Sequence, residues 1–174
     1  YLFYSNNPFF FKEFNTKYKN SLVLVKQGIH SIMDLISNNI QIDTKHMQYL
    51  NLNLNNIKYF DGIESFSNLI QLDITRNNLC EFPNDIILIN LKSLNISNNK
   101  FTYLYNINLF CPNLIDLQAD ENKISTLDHI CLLRNLNSLS LADNSITSIK
   151  ECLKLKSLNN LERILYGFPK FSKP

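Results

Sequence analysis

The chain has 174 residues, 45% of them apolar and 18% charged, with a formal net charge of +2. That length suits one domain with a sizeable core, and the near-neutral balance makes no global demand for nucleic acid or a membrane surface. No run of about 18 apolar residues occurs, so no membrane-spanning helix is expected. At the N-terminus, Asn7 suits a helix cap and Pro8 the first helical position, with Phe10, Phe11, Phe14 and Tyr18 near one face. Residues 1–20 are therefore expected to form a helical cap; an aromatic stripe that binds a partner is the alternative.

From residue 21 onward an eleven-residue phrase recurs, with apolar side chains at places one, four, six and eleven. The clear copies read MQYLNLNLNNI, LIQLDITRNNL, LKSLNISNNKF, LIDLQADENKI and LNSLSLADNSI. Their ninth-place asparagines are Asn55, Asn77, Asn99, Asn122 and Asn144, in steps of 22, 22, 23 and 22 residues. A fixed period of this length signals stacked units that bury one continuous core. The middle of each phrase predicts a short strand, with places four and six inward and the residues between them outward. The asparagine amide, with two donors and an acceptor, is suited to satisfy backbone groups where the chain turns off the sheet. After it, apolar residues near i, i+3 spacing, such as Ile57, Phe60, Ile63, Phe66 and Leu69, predict short helical or 3₁₀ turns. Pro83 makes one of these returns more extended.

A degenerate copy, SLVLVKQGI, places Leu22 and Leu24 inward and Gln27 at the asparagine position. The 28-residue step from Gln27 to Asn55 predicts an inserted helix or longer loop. At the other end, Leu161 to Ile164 begins another strand with no ninth-place asparagine after it. Residues 21–174 thus read as about six repeats, the first degenerate and the last incomplete. Because the chain stops at Pro174 before a convincing cap, a fragment of a longer protein is expected.

These phrases resemble leucine-rich repeat proteins of the short, 22-residue, intracellular kind, over roughly Leu22 to Phe168. The resemblance implies an α/β leucine-rich repeat solenoid: a curved right-handed coil with a parallel concave sheet and short helical or 3₁₀ convex segments. The stretch from Ile149 through LKLKSLNNLERILYGFP is similar to the last repeats of three families. These are the leucine-rich regulatory subunit of protein phosphatase 1, the leucine-rich light chain of axonemal dynein, and the A-prime subunit of a spliceosomal ribonucleoprotein. Their GNP-like turn reads Gly167-Phe168-Pro169 here, without the Asn. CPNLIDLQADENKISTL also resembles acidic leucine-rich nuclear phosphoproteins, without their acidic tail.

Binding is expected on the outward places of the concave strands, where the side chains are mostly small and polar. The candidate partner-binding residues are Tyr49, Asn51, Asn53, Gln71, Asp73, Arg76, Asn95, Asp116, Gln118, Asp120, Glu121 and Ser140. The acidic members gather toward the C-terminal half and suit a basic segment of a partner protein; the same residues also suit a solvated sheet face. Charge reversal at Asp116 and Asp120 is expected to abolish binding while stability is kept.

His30, His46 and His129 lie far apart in the repeat map, without Cys, Asp or Glu at metal spacing, and three glycines make no phosphate loop. No catalytic residue, metal or cofactor is expected, and the reading is a non-enzymatic protein-interaction scaffold or regulatory adaptor. The alternative is a structural subunit of a larger assembly, dynein-like or ribonucleoprotein, docked by its ends. Scattered lysines and an acidic groove argue against direct nucleic-acid binding. A monomer is expected. Cys80, Cys111, Cys131 and Cys152 lack metal or redox spacing and read as reduced packing residues. Cys131 and Cys152 occupy similar places in adjacent repeats, the one pair positioned for a disulfide. An intracellular location, cytoplasmic or nuclear, is expected.

Overall fold

The structure is a computed structural model that describes residues 20–37 and 42–166. The expected helical cap of residues 1–20 lies almost wholly outside the described residues, as does the Gly167-Phe168-Pro169 turn. Seven strands form one sheet in chain order. They are β1 (Ser21–Val23), β2 (Tyr49–Asn51), β3 (Gln71–Asp73), β4 (Ser93–Asn95), β5 (Asp116–Gln118), β6 (Ser138–Ser140) and β7 (Arg163–Leu165). Every neighbouring pair is parallel and in the same register, with Leu22, Leu50, Leu72, Leu94, Leu117, Leu139 and Ile164 side by side. Parallel pairing forces the chain to return before each new strand, and these returns form the second layer.

The returns are short, as the spacing predicts. Helix α1 (Ile32–Ser37) fills the long first connection. A 3₁₀ turn at Ile63–Ser65, helix α2 (Ile107–Phe110), a 3₁₀ turn at Ile130–Leu132 and helix α3 (Ile149–Lys154) serve the later ones. The return carrying Pro83 has no helix between β3 and β4. Between the layers lies one continuous core that includes Leu50, Leu72, Ile74, Leu94, Ile96 and Leu117. Phe60, Phe82, Phe101 and Phe110 join three returns, with ring centroids 4.9–5.4 Å apart. Gly62 seats α1 against the second return. Its φ is +96°, and a Cβ there would lie 2.7 Å from the Met33 backbone nitrogen.

The ninth-place asparagines bond as their chemistry requires. Asn99 Nδ2 donates to the carbonyls of Ile74, Ile96 and Ser97 at 3.1, 3.0 and 3.3 Å. Its Oδ1 accepts the Leu79 N–H of the preceding repeat at 2.9 Å. Asn77 and Asn122 repeat this pattern, as do Asn55 and Asn144 at the two ends of the series. Each amide thus sews two adjacent repeats together, and all but the half-buried Asn144 are nearly withdrawn from water. Gln27, in the degenerate first copy, donates instead to Val25 O within its own repeat.

All four cysteines are free thiols. Cys111 is buried, and burial pushes its thiol pKa far above the ordinary range. Cys80 is exposed rather than packed, because its place on the return points away from the core.

Candidate functional site

The concave face is built from places three, five, seven and eight of each phrase. Place eight has a feature that the repeat pattern did not reveal. Lys26, Leu54, Arg76, Asn98, Glu121 and Asp143 all occupy it with φ between 52° and 58°. That left-handed conformation costs a non-glycine residue roughly 1–2 kcal/mol. It persists because it aims the N–H at the next repeat: Arg76 donates to Ser97 O at 3.0 Å and Glu121 to Ala142 O at 2.8 Å. Asn98 and Asp143 were the only sequence signals, since Asn and Asp tolerate this region best.

Place five looks like binding surface in the sequence, yet in three strands its side chain serves the backbone. Asn51 Oδ1, Asp73 Oδ1 and Asn95 Oδ1 each accept the N–H two residues on, at 3.0 Å. Gln118 has a side chain one methylene longer, and its Oε1 instead accepts from Asn95 Nδ2 at 2.9 Å. The Asp120 N–H therefore turns to Ser97 Oγ, at 3.2 Å. Asp120 Oδ1 in turn accepts from Ser140 Oγ at 2.6 Å and from Ala142 N at 2.7 Å. Asp120 is thus a cross-repeat brace, and reversing its charge strikes the fold as well as any partner.

The remaining candidates divide by how free they are. Asp116 Oδ2 accepts from Ser93 Oγ at 3.2 Å and its carboxylate stays half-buried on the face. Tyr49 OH accepts from Asn51 Nδ2 at 3.1 Å. Burial raises the Tyr49 pKa, the Asn51 bond lowers it, and nearby Asp73 raises it further. Asn53 Oδ1 is a buried oxygen with no partner among the described residues. Gln71 is half-buried on β3, next to Tyr49 and Ser93 in the register. Arg76 and Glu121 are exposed. Among these candidates Arg76, Asp116 and Glu121 present accessible charge, alongside the exposed Lys26 and Asp143 at place eight, with Leu54, 39% exposed, as an apolar neighbour of Arg76.

Among the described residues, no group of three or more His, Cys, Asp or Glu is placed to hold a metal ion. No described helix is long and apolar enough to cross a membrane.

A second exposed surface lies at the C-terminal end. Ile164 holds the fourth place of β7, and its six counterparts in β1–β6 are at most 6% exposed. Ile164 itself is 49% exposed, and Leu165, Ile149 and Leu153 are exposed as well.

No protein-family model matches the chain, and no curated protein matches it. Solved structures do. A leucine-rich repeat protein of Leptospira interrogans aligns at TM-score 0.61 and 31% identity, over 68% of this chain and 31% of that one. This chain therefore spans about a third of that protein's length. Internalin C2 of Listeria monocytogenes aligns at TM-score 0.60 and 22% identity, over 84% of this chain and 80% of that one. The Drosophila melanogaster SNF/U2A′ complex aligns at TM-score 0.56 and 18% identity, covering 66% and 70%. At the identities of these last two, the likeness is one of fold.

Proposed function

From the premise that this chain is a leucine-rich repeat protein, we propose that it is a non-enzymatic scaffold that binds a partner protein on its concave face. The observation that carries this reading is the separation of duties along the strands. Asn51, Asp73, Asn95 and Asp120 are engaged by the sheet's own backbone, while Arg76, Asp116 and Glu121 keep accessible charge at fixed backbone positions. Charges held on a pre-organised backbone select a complementary partner at little ordering cost. Tyr49 and Arg76 are the residue types that most often anchor interfaces, and Leu54 adds apolar area beside Arg76.

A second reading follows from the exposed C-terminal end. A chain docked by that end into a larger assembly would cover Ile164 and Leu165. Of the structural neighbours, the Drosophila protein is in a two-protein complex, so partner binding is compatible with this fold.

The two readings separate in one affinity-capture experiment from the native source. The concave variant is Asp116→Lys with Glu121→Lys; the end variant is Ile164→Asp with Leu165→Asp. Asp120 is left intact because it braces Ala142. The concave reading expects the first variant to lose a partner that the wild type captures, with its melting midpoint kept, and the second to retain it. The reverse outcome establishes end docking and defeats the concave reading.

A further inference from the structure

The edge at which the strands begin carries a cleft of about 380 Å³, separate from the concave face. Its lining follows from the repeat. Asn20, Gln48, Ile70 and Lys92 hold the second place of four successive phrases, just before β1–β4. Asn68 and Asn90 stand before the first place, and Lys45 and His46 come from the 3₁₀ turn Thr44–His46. All eight lining residues are neutral or basic.

The backbone of this edge is already satisfied. Gln48 N donates to Asn20 O at 2.9 Å, Ile70 N to Gln48 O at 2.8 Å and Lys92 N to Ile70 O at 2.8 Å. Asn68 Nδ2 is held by Lys45 O at 2.7 Å, and Asn90 Nδ2 by Ser67 O at 3.1 Å. His46 is engaged by Asp43, with Nδ1 and Oδ2 2.6 Å apart. What remains for a ligand is the side chain of Lys45, that of Lys92, whose ammonium makes one long contact to Asn113 O at 3.4 Å outside the cleft lining, and the amides of Asn20 and Gln48. Half-buried Ile70 supplies an apolar floor between them.

We propose that this cleft binds the phosphate monoester of a small organic molecule, with Lys45 and Lys92 facing the phosphate and Gln48 and Asn20 donating to its oxygens. A dianion matches two ammonium groups, and lysine serves as a point-charge phosphate ligand at solvent-open sites. The volume lies at the small end of organic-ligand clefts, and Ile70 gives the organic part something to rest on. This inference does not depend on the concave-face reading.

The test is a titration of the full chain by two-dimensional amide NMR, with AMP as the phosphate probe and adenosine as its uncharged control. AMP is expected to give saturable shifts at the amides of Gln48, Ile70 and Lys92, leaving Arg76 and Glu121 unmoved, and adenosine to give none. Lys45→Gln with Lys92→Gln is expected to weaken AMP binding about tenfold with the remaining spectrum unchanged. Lys45→Gln alone, at an exposed position, provides the same reading if the double variant fails to fold, with a smaller loss. The proposal is overturned if AMP gives no saturable shift, if adenosine binds equally, or if the folded lysine variant binds AMP as the wild type does.

Discussion

Two asparagine ladders run along this solenoid, one at each edge of the sheet, and the same residue does different work in them. The ninth-place ladder, Asn55 to Asn144, lies where the strands end; Asn55, Asn77, Asn99 and Asn122 are at most 9% exposed. Each of these amides uses both its donors and its acceptor on backbone carbonyls and N–H groups, and neighbouring amides share carbonyls, as Asn77 and Asn99 share Ile74 O. The second ladder lies where the strands begin, at Asn68, Asn90, Asn113, Asn135 and Asn160. Asn68 Nδ2 donates to Lys45 O, Asn113 Nδ2 to Ile89 O at 3.0 Å and Asn160 Nδ2 to Arg134 O at 3.0 Å. These bonds also join neighbouring repeats, but water reaches them and replaces them when they break. Residue type and period are therefore shared, and burial sets the energetic weight.

The sharpest way to stress this difference is to bury a charge in the first ladder. Asn99→Asp removes the donor that holds three carbonyls and sets an anion among them; the loss is expected to be about 3–5 kcal/mol in urea unfolding. Next, Asn99→Ala leaves the buried Leu79 N–H without its acceptor and takes one of the donors from each of those carbonyls, and should cost about 1–3 kcal/mol. Asp120→Ala on the concave face is expected to cost about 1.5–3 kcal/mol, measured the same way, because a charged acceptor is removed from Ala142 N and Ser140 Oγ. A value near zero there would return Asp120 to the list of free partner contacts.

Much of the architecture was legible in the sequence because it is periodic. Leu72, Ile74 and Leu94 are buried where the phrase puts them, and the return with Pro83 lacks a helix. The inserted segment after Gln27 forms α1, as the long step required. The site was less legible. Asn51, Asp73 and Asn95 read as outward polar residues, and no pattern in one chain shows that an outward side chain folds back onto the N–H two residues on. The left-handed row at place eight was hidden for a related reason. Leu54, Arg76 and Glu121 adopt it against their own preference, under the demand of inter-repeat hydrogen bonds. The second ladder was visible as an Asn before each first-place Leu, but a composition rich in Asn masked it. A pattern alone does not say which amides are withdrawn from water.

The smallest expected effect is a pH dependence at the exposed end. Lys154 Nζ lies 2.8 Å from Glu151 Oε2 and 2.5 Å from Asp128 Oδ1. Hydrogen bonding to Lys154 holds both carboxyl groups below their ordinary pKa, aided by Thr126 at Asp128 and by the Leu127 N–H at Glu151. A depressed folded-state pKa gives stability that is complete above the ordinary carboxylate range and lost as pH falls through the lowered values. The melting midpoint of Lys154→Met is therefore expected to fall less steeply on acidification than that of the wild type; identical acid limbs would remove the cluster's role.

The most direct measurement is urea unfolding of Asn99→Ala and Asn113→Ala side by side, since each removes one asparagine from one ladder in adjacent stretches of chain. The expected result is a loss of about 1–3 kcal/mol for Asn99→Ala against a change within about 0.5 kcal/mol for Asn113→Ala. Equal losses in the two variants would contradict the claim that burial, rather than the repeat itself, decides which asparagines hold the sheet.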